Sequence, residues 1–233
     1  LMKVVTYLPR RCMRNMRTEY ARFASAPNFG ERFVYVPLNF QPERTSSPQG
    51  GVFVDQLLMI ETLAAALPPG WFLYVKEHPA QWLHRGPDFF SYRHRGYYEE
   101  IARLPHVQLI PVATDTYTLI AHAIAVATVT GTAGFEALLR GKPVLVFGFP
   151  WYLHAPGLWR VSDAHTCAEA FRRIASGYAP STPDVLRYLA AFDEASFVGY
   201  CEPHGRQLEY LTAEQNAKRL AEAVETELAA QEL

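Results

Sequence analysis

The feature that most constrains the fold is an alternation. Short, unbroken apolar runs recur along the chain, and each is followed by a stretch with helical spacing. "FVYVPL" (33–38), "WFLYVK" (71–76), "VQLIPV" (107–112), "IAVATV" (124–129) and "PVLVFG" (143–148) read as strands. "VDQLLMIETLAAAL" (54–67), "GYYEEIARL" (96–104), "DTYTLIAHA" (115–123) and "AGFEALLR" (133–140) read as helices, with Asp115 a candidate N-cap. Strands without polar alternation bury both faces, as in a parallel sheet between two helical layers. The expected fold class is therefore α/β, a doubly wound parallel sheet of Rossmann-like type with extra helices at both ends. The expected division is a basic helical linker (1–32), the sheet domain (33–180), and C-terminal helices (181–233) packing on it. Helical segments are expected near 166–177, 182–192 and 212–231.

Composition narrows the partners. The chain has 233 residues, 49% of them hydrophobic, enough for a real core. Lys and Arg number 22 against 23 Asp and Glu, so charge gives no case for nucleic acid. Cys12, Cys167 and Cys201 are far apart and show no metal-ligand spacing, which points to a reducing, cytoplasmic setting. No run approaches the ~18–20 apolar residues of a membrane span, and no signal-peptide core opens the chain. The first residue is Leu1, as expected for a piece of a longer chain. "RRCMRNMRTEYARF" sets Arg10, Arg11, Arg14, Arg17 and Arg22 against Glu19. It reads either as a solvated helical linker or as a helix docking on anionic lipid at the inner membrane or on an absent domain.

In open parallel sheets, ligands bind beyond the carboxyl ends of the strands. Unusual residues gather there. "TGTAGFE" (130–136) places Thr130, Gly131, Thr132, Ala133 and Gly134 between a strand and a helix, with Glu136 in the first helical turn. Small residues allow close approach, and the free amides of a helix start suit a phosphate. Glu136 would accept hydrogen bonds from sugar hydroxyls. The same residues also make an ordinary capped turn. "TSSPQGG" repeats the pattern with Thr45, Ser46, Gly50 and Gly51, and the same two readings stand. "KEHP" ends the second strand with Lys76, His78 and Pro79. Lys76 faces either side of the sheet. His78 is a structural residue, a donor to a phosphate oxygen, or an acid for a leaving phosphate. The other histidines (His84, His94, His106, His122, His154, His165 and His204) have no metal-binding spacing and read as surface or packing residues. Trp151-Tyr152 stacks on a base or sugar or, by preference, closes the core. Residues 80–95 have no clear period and read as a mobile loop.

Taken together, Gln41-Pro42, His78-Pro79 and the small-residue turn with Glu136 resemble, in that order, bacterial capsule polysaccharide biosynthesis proteins. These are GT-B-type glycosyltransferases that include β-Kdo transferases. The resemblance covers roughly 33–160 and is to the C-terminal, donor-binding half. It implies a CMP- or UDP-linked sugar as donor substrate, with CMP-Kdo first, and no tightly bound cofactor or metal. His78 would contact the nucleotide phosphate, and Thr130 and Thr132 would complete its site with Gly131. Gln41 and Glu43 would line the crevice, with Glu43 preferred to Asp55 as the acid there because Asp55 is read as a full turn into its helix. Partners would be a lipid-linked or oligosaccharide acceptor and other capsule-assembly proteins. The alternatives are a nucleotide-sugar epimerase of the same build and a non-catalytic capsule assembly or export protein.

Overall fold

In the computed structural model, the described residues are 16–43, 45–82, 92–200 and 211–231. They fall into two compact units, one ending at Val185 and one beginning at Leu186. Arg10, Arg11, Cys12, Arg14, His84, Cys201 and His204 lie outside the described residues, as does 83–91 of the expected 80–95 loop.

The first unit is built around β1 (Arg32–Pro37). It pairs in parallel with β2 (Trp71–Lys76) on one side and β4 (Ala125–Thr128) on the other. With β3 (Val107–Leu109), β5 (Val144–Val146) and β6 (Leu158–Arg160), they form one parallel six-stranded sheet in the order β3-β2-β1-β4-β5-β6. The expected doubly wound architecture is the observed one, with β6 added.

Alternate residues of these strands feed two apolar layers, which is why the runs are continuous. Val34, Val36, Leu73, Val75, Ala125 and Ala127 belong to one core cluster. It also takes in Met59, Ile60 and Leu63 of α2 (Gln56–Ala66), Tyr98 and Ile101 of α3 (Tyr97–Arg103), and Phe171 and Ile174 of α6 (Ala164–Ala175). Phe33, Tyr35 and Tyr74 are fully buried outside that cluster, as are Leu119 and Ile120 of α4 (Thr116–His122) and Ala137 of α5 (Thr132–Leu138). Phe33 and Tyr74 stack there at 4.2 Å.

Caps fix where the helices begin. Asp115 accepts from the Thr118 amide at 2.7 Å and caps α4, as expected. Asp55 caps α2, accepting from Leu57 N at 3.1 Å. The helix read from residue 54 thus begins at Gln56, because Gly51–Val54 form a separate 3-10 turn. Asp55 therefore stands at the helix start and not one turn into it.

The N-terminal segment is also more than a linker. α1 (Arg17–Phe23) buries Tyr20 to 3% exposure. Its hydroxyl donates to Ile110 O and accepts from Glu77 N, and its ring meets Trp82 and Tyr98 edge-on at 5.2 and 4.9 Å. Glu19 accepts from the amides of Gly96 and Tyr98 at 3.1 Å, which caps α3. Beyond α1, Ala24 bridges Leu109 in parallel, and Ser25 N donates to Leu109 O at 2.9 Å. This stretch runs along the outer side of β3 and occupies an edge that would otherwise present unpaired backbone. The boundary expected at residue 32 does not separate these residues from the sheet.

α7 (Thr182–Glu194) runs across the division between the units, and α8 (Ala213–Gln231) belongs to the second. At the start of α8, Thr212 and Gln215 exchange side-chain-to-backbone hydrogen bonds at 3.0 and 3.1 Å, a reciprocal cap. Asn216 is buried and bonds both the amide and the carbonyl of Tyr200 at 2.8 Å.

Candidate functional site

All six strands are parallel, so their carboxyl ends share one rim. The chain proceeds outward from β1 to β3, then returns to β4 on the other side of β1. That reversal makes the β1/β4 junction the point where the rim splays into a crevice. Pro37 is level with Lys76, and Tyr35 with Val126. The loops 38–50, 77–82 and 129–131 therefore leave the sheet at nearly the same height.

Asn39 joins the first and last of these loops. It accepts from Thr128 Oγ1 and donates to Thr130 Oγ1, each at 3.2 Å, while Gln56 bonds its backbone N–H and C=O at 2.7 and 3.0 Å. Thr130 in turn donates to Thr45 O at 2.7 Å. Its hydroxyl, expected on the ligand, is thus turned inward and holds the 39–45 loop against β4. The Gly131 amide is also taken, by Thr128 Oγ1 at 3.2 Å. Thr132 and Ala133 carry the next amides of the first turn of α5, where helix N–H groups lack intrahelical partners. Thr132 is exposed and Ala133 half-buried.

Gly134 is required by packing. A Cβ there would fall on the Tyr152 hydroxyl and lie 3.1 Å from Val144 and 3.2 Å from Thr128. Tyr152 is fully buried and donates to Gly131 O, which pins the turn. The Trp151-Tyr152 pair therefore divides: Tyr152 closes the core, while Trp151 is 49% exposed beside Phe135 at 4.6 Å. α5 begins at Thr132, so Glu136 lies just past the first turn, half-buried.

The 45–51 loop is a packed turn. Ser46 is fully buried and donates to Glu43 O at 3.0 Å, and Gly50 N donates to Ser46 O at 2.8 Å. A Cβ on Gly50 would stand 2.6 Å from Ser46 O and 2.8 Å from Val129. Gly51 has φ +55° and faces open space. Thr45 and Glu43 are exposed.

Lys76 turns toward the β3–α4 connection. Its ammonium donates to Thr114 O at 2.8 Å and Thr116 Oγ1 at 2.6 Å, and burial lowers its pKa. Glu77 turns inward and is fully buried. It accepts from Arg93 Nε (2.8 Å), Arg93 Nη2 (3.1 Å), Tyr98 Oη (2.6 Å) and His78 N (2.7 Å), which fills its acceptor sites. Arg93 reaches further, to Gln41 Oε1 at 2.8 Å and Asn39 O at 3.1 Å. Burial is the largest single influence and opposes its charge, but the Glu77 carboxylate, together with Tyr97 and Tyr98, holds its pKa above the usual value. Gln41 is tied to Gln81 by two bonds of 2.9 Å and donates to Val54 O at 2.6 Å. Half-buried His78 and exposed Pro79 stand at the mouth of this network.

The structure thus brings the Gln41, His78 and Thr132 loops to one rim. It assigns Thr130, Ser46, Gly50 and Gly134 to internal support and directs Lys76 elsewhere. Sequence reasoning missed Asn39, Gln56, Glu77 and Arg93. A polar residue directly after each strand was the available signal for Asn39 and Glu77. Among the described residues, no helix is long and apolar enough to cross a membrane, and no cluster of three or more His, Cys, Asp or Glu is arranged to hold a metal ion.

Comparison with known proteins gives the relationship. Over residues 31–182 the chain matches the family described as "Capsule polysaccharide biosynthesis protein". It is 37% identical over 82 residues to the capsule polysaccharide modification protein LipA of Neisseria meningitidis serogroup B, and 35% identical over 82 residues to that of serogroup A. Each alignment spans 35% of this chain and 11% of LipA. Among solved structures it is similar to the β-Kdo 2,7 transferase KpsC of Thermosulfurimonas dismutans, with TM-score 0.43 and 20% identity over 71% of this chain and 52% of that one. It is also similar to the UDP-GlcNAc 2-epimerase of Methanocaldococcus jannaschii, with TM-score 0.45 and 10% identity over 77% of this chain and 49% of that one. The chain therefore matches about a tenth of its curated relatives' length and half of these solved chains. The family match extends from just before β1 into α7 and takes in the whole rim, so the chain belongs to the capsule polysaccharide biosynthesis protein family.

Proposed function

We propose that the sheet-bearing unit binds the nucleotide-sugar donor of a glycosyltransferase in capsule polysaccharide synthesis, with CMP-Kdo the first donor to test. The observation that carries this reading is the convergence of the Gln41, His78 and Thr132 loops at the β1/β4 switch point in a chain of this family. An acceptor hydroxyl would attack the anomeric carbon as the nucleotide phosphate leaves. Negative charge then grows on the phosphate oxygens, and preformed donors stabilise it. Those donors are His78 and the amides of Thr132 and Ala133. Glu136, on the exposed side of α5, would take the ribose hydroxyls. Glu43 would face the acceptor, a lipid-linked or oligosaccharide hydroxyl.

Calorimetric titration of CMP, CDP, UMP and UDP into the full chain tests this. Thr132→Pro is the sharpest variant. Thr132 is the first helical residue, and the extended Gly131 before it (φ −66°, ψ 145°) already suits a following proline. The substitution removes one amide and one hydroxyl and spares the helix. Loss of one hydrogen bond to a charged phosphate, about 1.5–3 kcal/mol, weakens binding about ten- to a hundredfold. Affinity for none of the four nucleotides, or affinity unchanged in Thr132→Pro, overturns the proposal. Preference for UDP with turnover of UDP-N-acetylglucosamine in the absence of an acceptor turns it toward an epimerase.

A further inference from the structure

We infer that Arg93 is a positioning residue for donor binding: its buried guanidinium spaces the Gln41 and His78 loops from inside the protein, without meeting the ligand itself. The inference rests on the reading above, in which those loops take the nucleotide, and adds to it a residue from outside the rim.

The geometry singles out this side chain. It is 1% exposed, lies over the Tyr97 ring at 4.8 Å, and reaches two different strand ends. Nε and Nη2 donate to the Glu77 carboxylate at 2.8 and 3.1 Å, just past β2. Nη1 donates to Gln41 Oε1 at 2.8 Å and Nη2 to Asn39 O at 3.1 Å, both in the loop that follows β1. Each acceptor is one step from the rim. Glu77 Oε1 also accepts from the His78 amide at 2.7 Å. Asn39 carries the constraint on through its bonds with Thr128 and Thr130, just before Thr132. Gln41 Nε2 donates to Val54 O at 2.6 Å, which orients the amide with Oε1 toward Arg93. Gln81 joins the same two loops through both backbone groups of Gln41. Arg93 and Gln81 thus form a two-point clamp, with Arg93 the inner strut.

Stability alone does not account for the arrangement. Desolvating two charges offsets much of their attraction, so a buried ion pair can often be exchanged for apolar groups at little net cost. An apolar pair cannot bond acceptors in two loops at once. A guanidinium can, because its five N–H donors form a rigid planar fork. Lysine offers one ammonium nitrogen and cannot span the same acceptors. The fork therefore sets the distance between the loops, and a ligand held by groups from both loops senses that distance.

The test separates affinity from stability in the full chain. Arg93→Lys keeps a cation for Glu77 but loses the fork. Glu77→Leu/Arg93→Met removes both charges and carries the test if Arg93→Lys does not fold. Lys142→Met is the control: Lys142 donates to Ala121 O and Ala123 O at 2.7 and 2.8 Å, at the opposite end of the sheet, so its loss lowers stability away from the rim. Urea unfolding ranks the variants, and CMP is titrated by calorimetry where each is fully folded. Both clamp variants are expected to bind CMP about ten- to a hundredfold more weakly than wild type, the cost of a small misplacement, while Lys142→Met binds it unchanged. Amide hydrogen exchange at Gln41, His78 and Gln81 is expected to quicken in Arg93→Lys. Wild-type affinity in a folded clamp variant overturns the inference, as does unchanged exchange at those amides. An equal loss in Lys142→Met overturns it too, since affinity would then merely follow stability. If neither clamp variant folds, the pair is structural and the inference falls. If wild-type protein binds none of the four nucleotides, the functional reading fails and takes the inference with it, whereas wild-type binding with unaffected variants removes the inference alone.

Discussion

Replacing Glu77 by glutamine should cost about 3–5 kcal/mol, the loss seen when one partner of a buried ion pair is removed. The side chains of Glu77 and Arg93 are 0% and 1% exposed, so no water replaces the missing charge. Arg93 would lose its carboxylate partner Glu77 while keeping its bonds to the neutral acceptors Gln41 Oε1 and Asn39 O. The substituted amide also turns an NH2 group toward donors, since Arg93 contributes to both carboxylate oxygens, and Tyr98 Oη and His78 N to one each. A domain of ordinary stability has 5–15 kcal/mol in total, so the variant should be marginal. Urea unfolding followed by fluorescence is the assay, with a fall in midpoint at constant slope as the expected result. The double variant Glu77→Leu/Arg93→Met should recover much of the loss, because a buried pair can often be exchanged for apolar groups at little net cost. A single-variant cost under about 1 kcal/mol would refute the reasoning, since Arg93 would then have found water.

Gly134→Ala should lose about 1–3 kcal/mol, because its methyl group meets the Tyr152 hydroxyl, Val144 and Thr128; thermal unfolding measures this, and an unchanged midpoint would mean that α5 can lift off β4. Asp163→Ala removes the reciprocal cap that Asp163 and Thr166 form at the start of α6 and should lose about 1 kcal/mol in the same assay. Stability should also fall steeply in alkali. Burial raises the pKa of Tyr74 to about 12, and pushes those of Tyr20, Tyr35, Tyr97, Tyr98 and Tyr152 up as well. Each such group contributes stability that is fully present below its unfolded value near 10. Above that pH the unfolded chain sheds the proton first, and each group loses about 1.4 kcal/mol per pH unit until its folded value is reached. Tyrosinate absorbance should therefore appear together with the loss of helical circular dichroism, and six separate ionisations in a folded protein would contradict the burial.

The layered fold was legible because parallel strands buried on both faces leave continuous apolar runs, which local spacing records. β6 left no such record: Leu158, Trp159 and Arg160 span three residues, and none is fully buried. α1 was misjudged for a related reason. Its arginines suggest a solvated helix, whereas the residues that anchor it, Met16 and Tyr20, are too few to form a stripe. At the rim, the strand-end rule found the correct loops but could not separate side chains facing a ligand from those facing the protein. Thr130 and Thr132 are chemically alike and two residues apart, yet one hydroxyl is buried on Asn39 and the other is exposed. The Glu77–Arg93 pair joins residues 16 apart across a stretch without period, and no local pattern announces such a contact.

The strap from α1 to Ser25 has a consequence for shortened forms of the chain. A polypeptide trimmed to the family-matched span, 31–182, would lack the phenol that seats against Glu77 N and Ile110 O and the backbone that runs beside Leu109. β3 would become an open template with a vacant aromatic socket next to it. Such fragments should self-associate through strand addition, and light scattering should find larger species than for the same fragment begun at Met16.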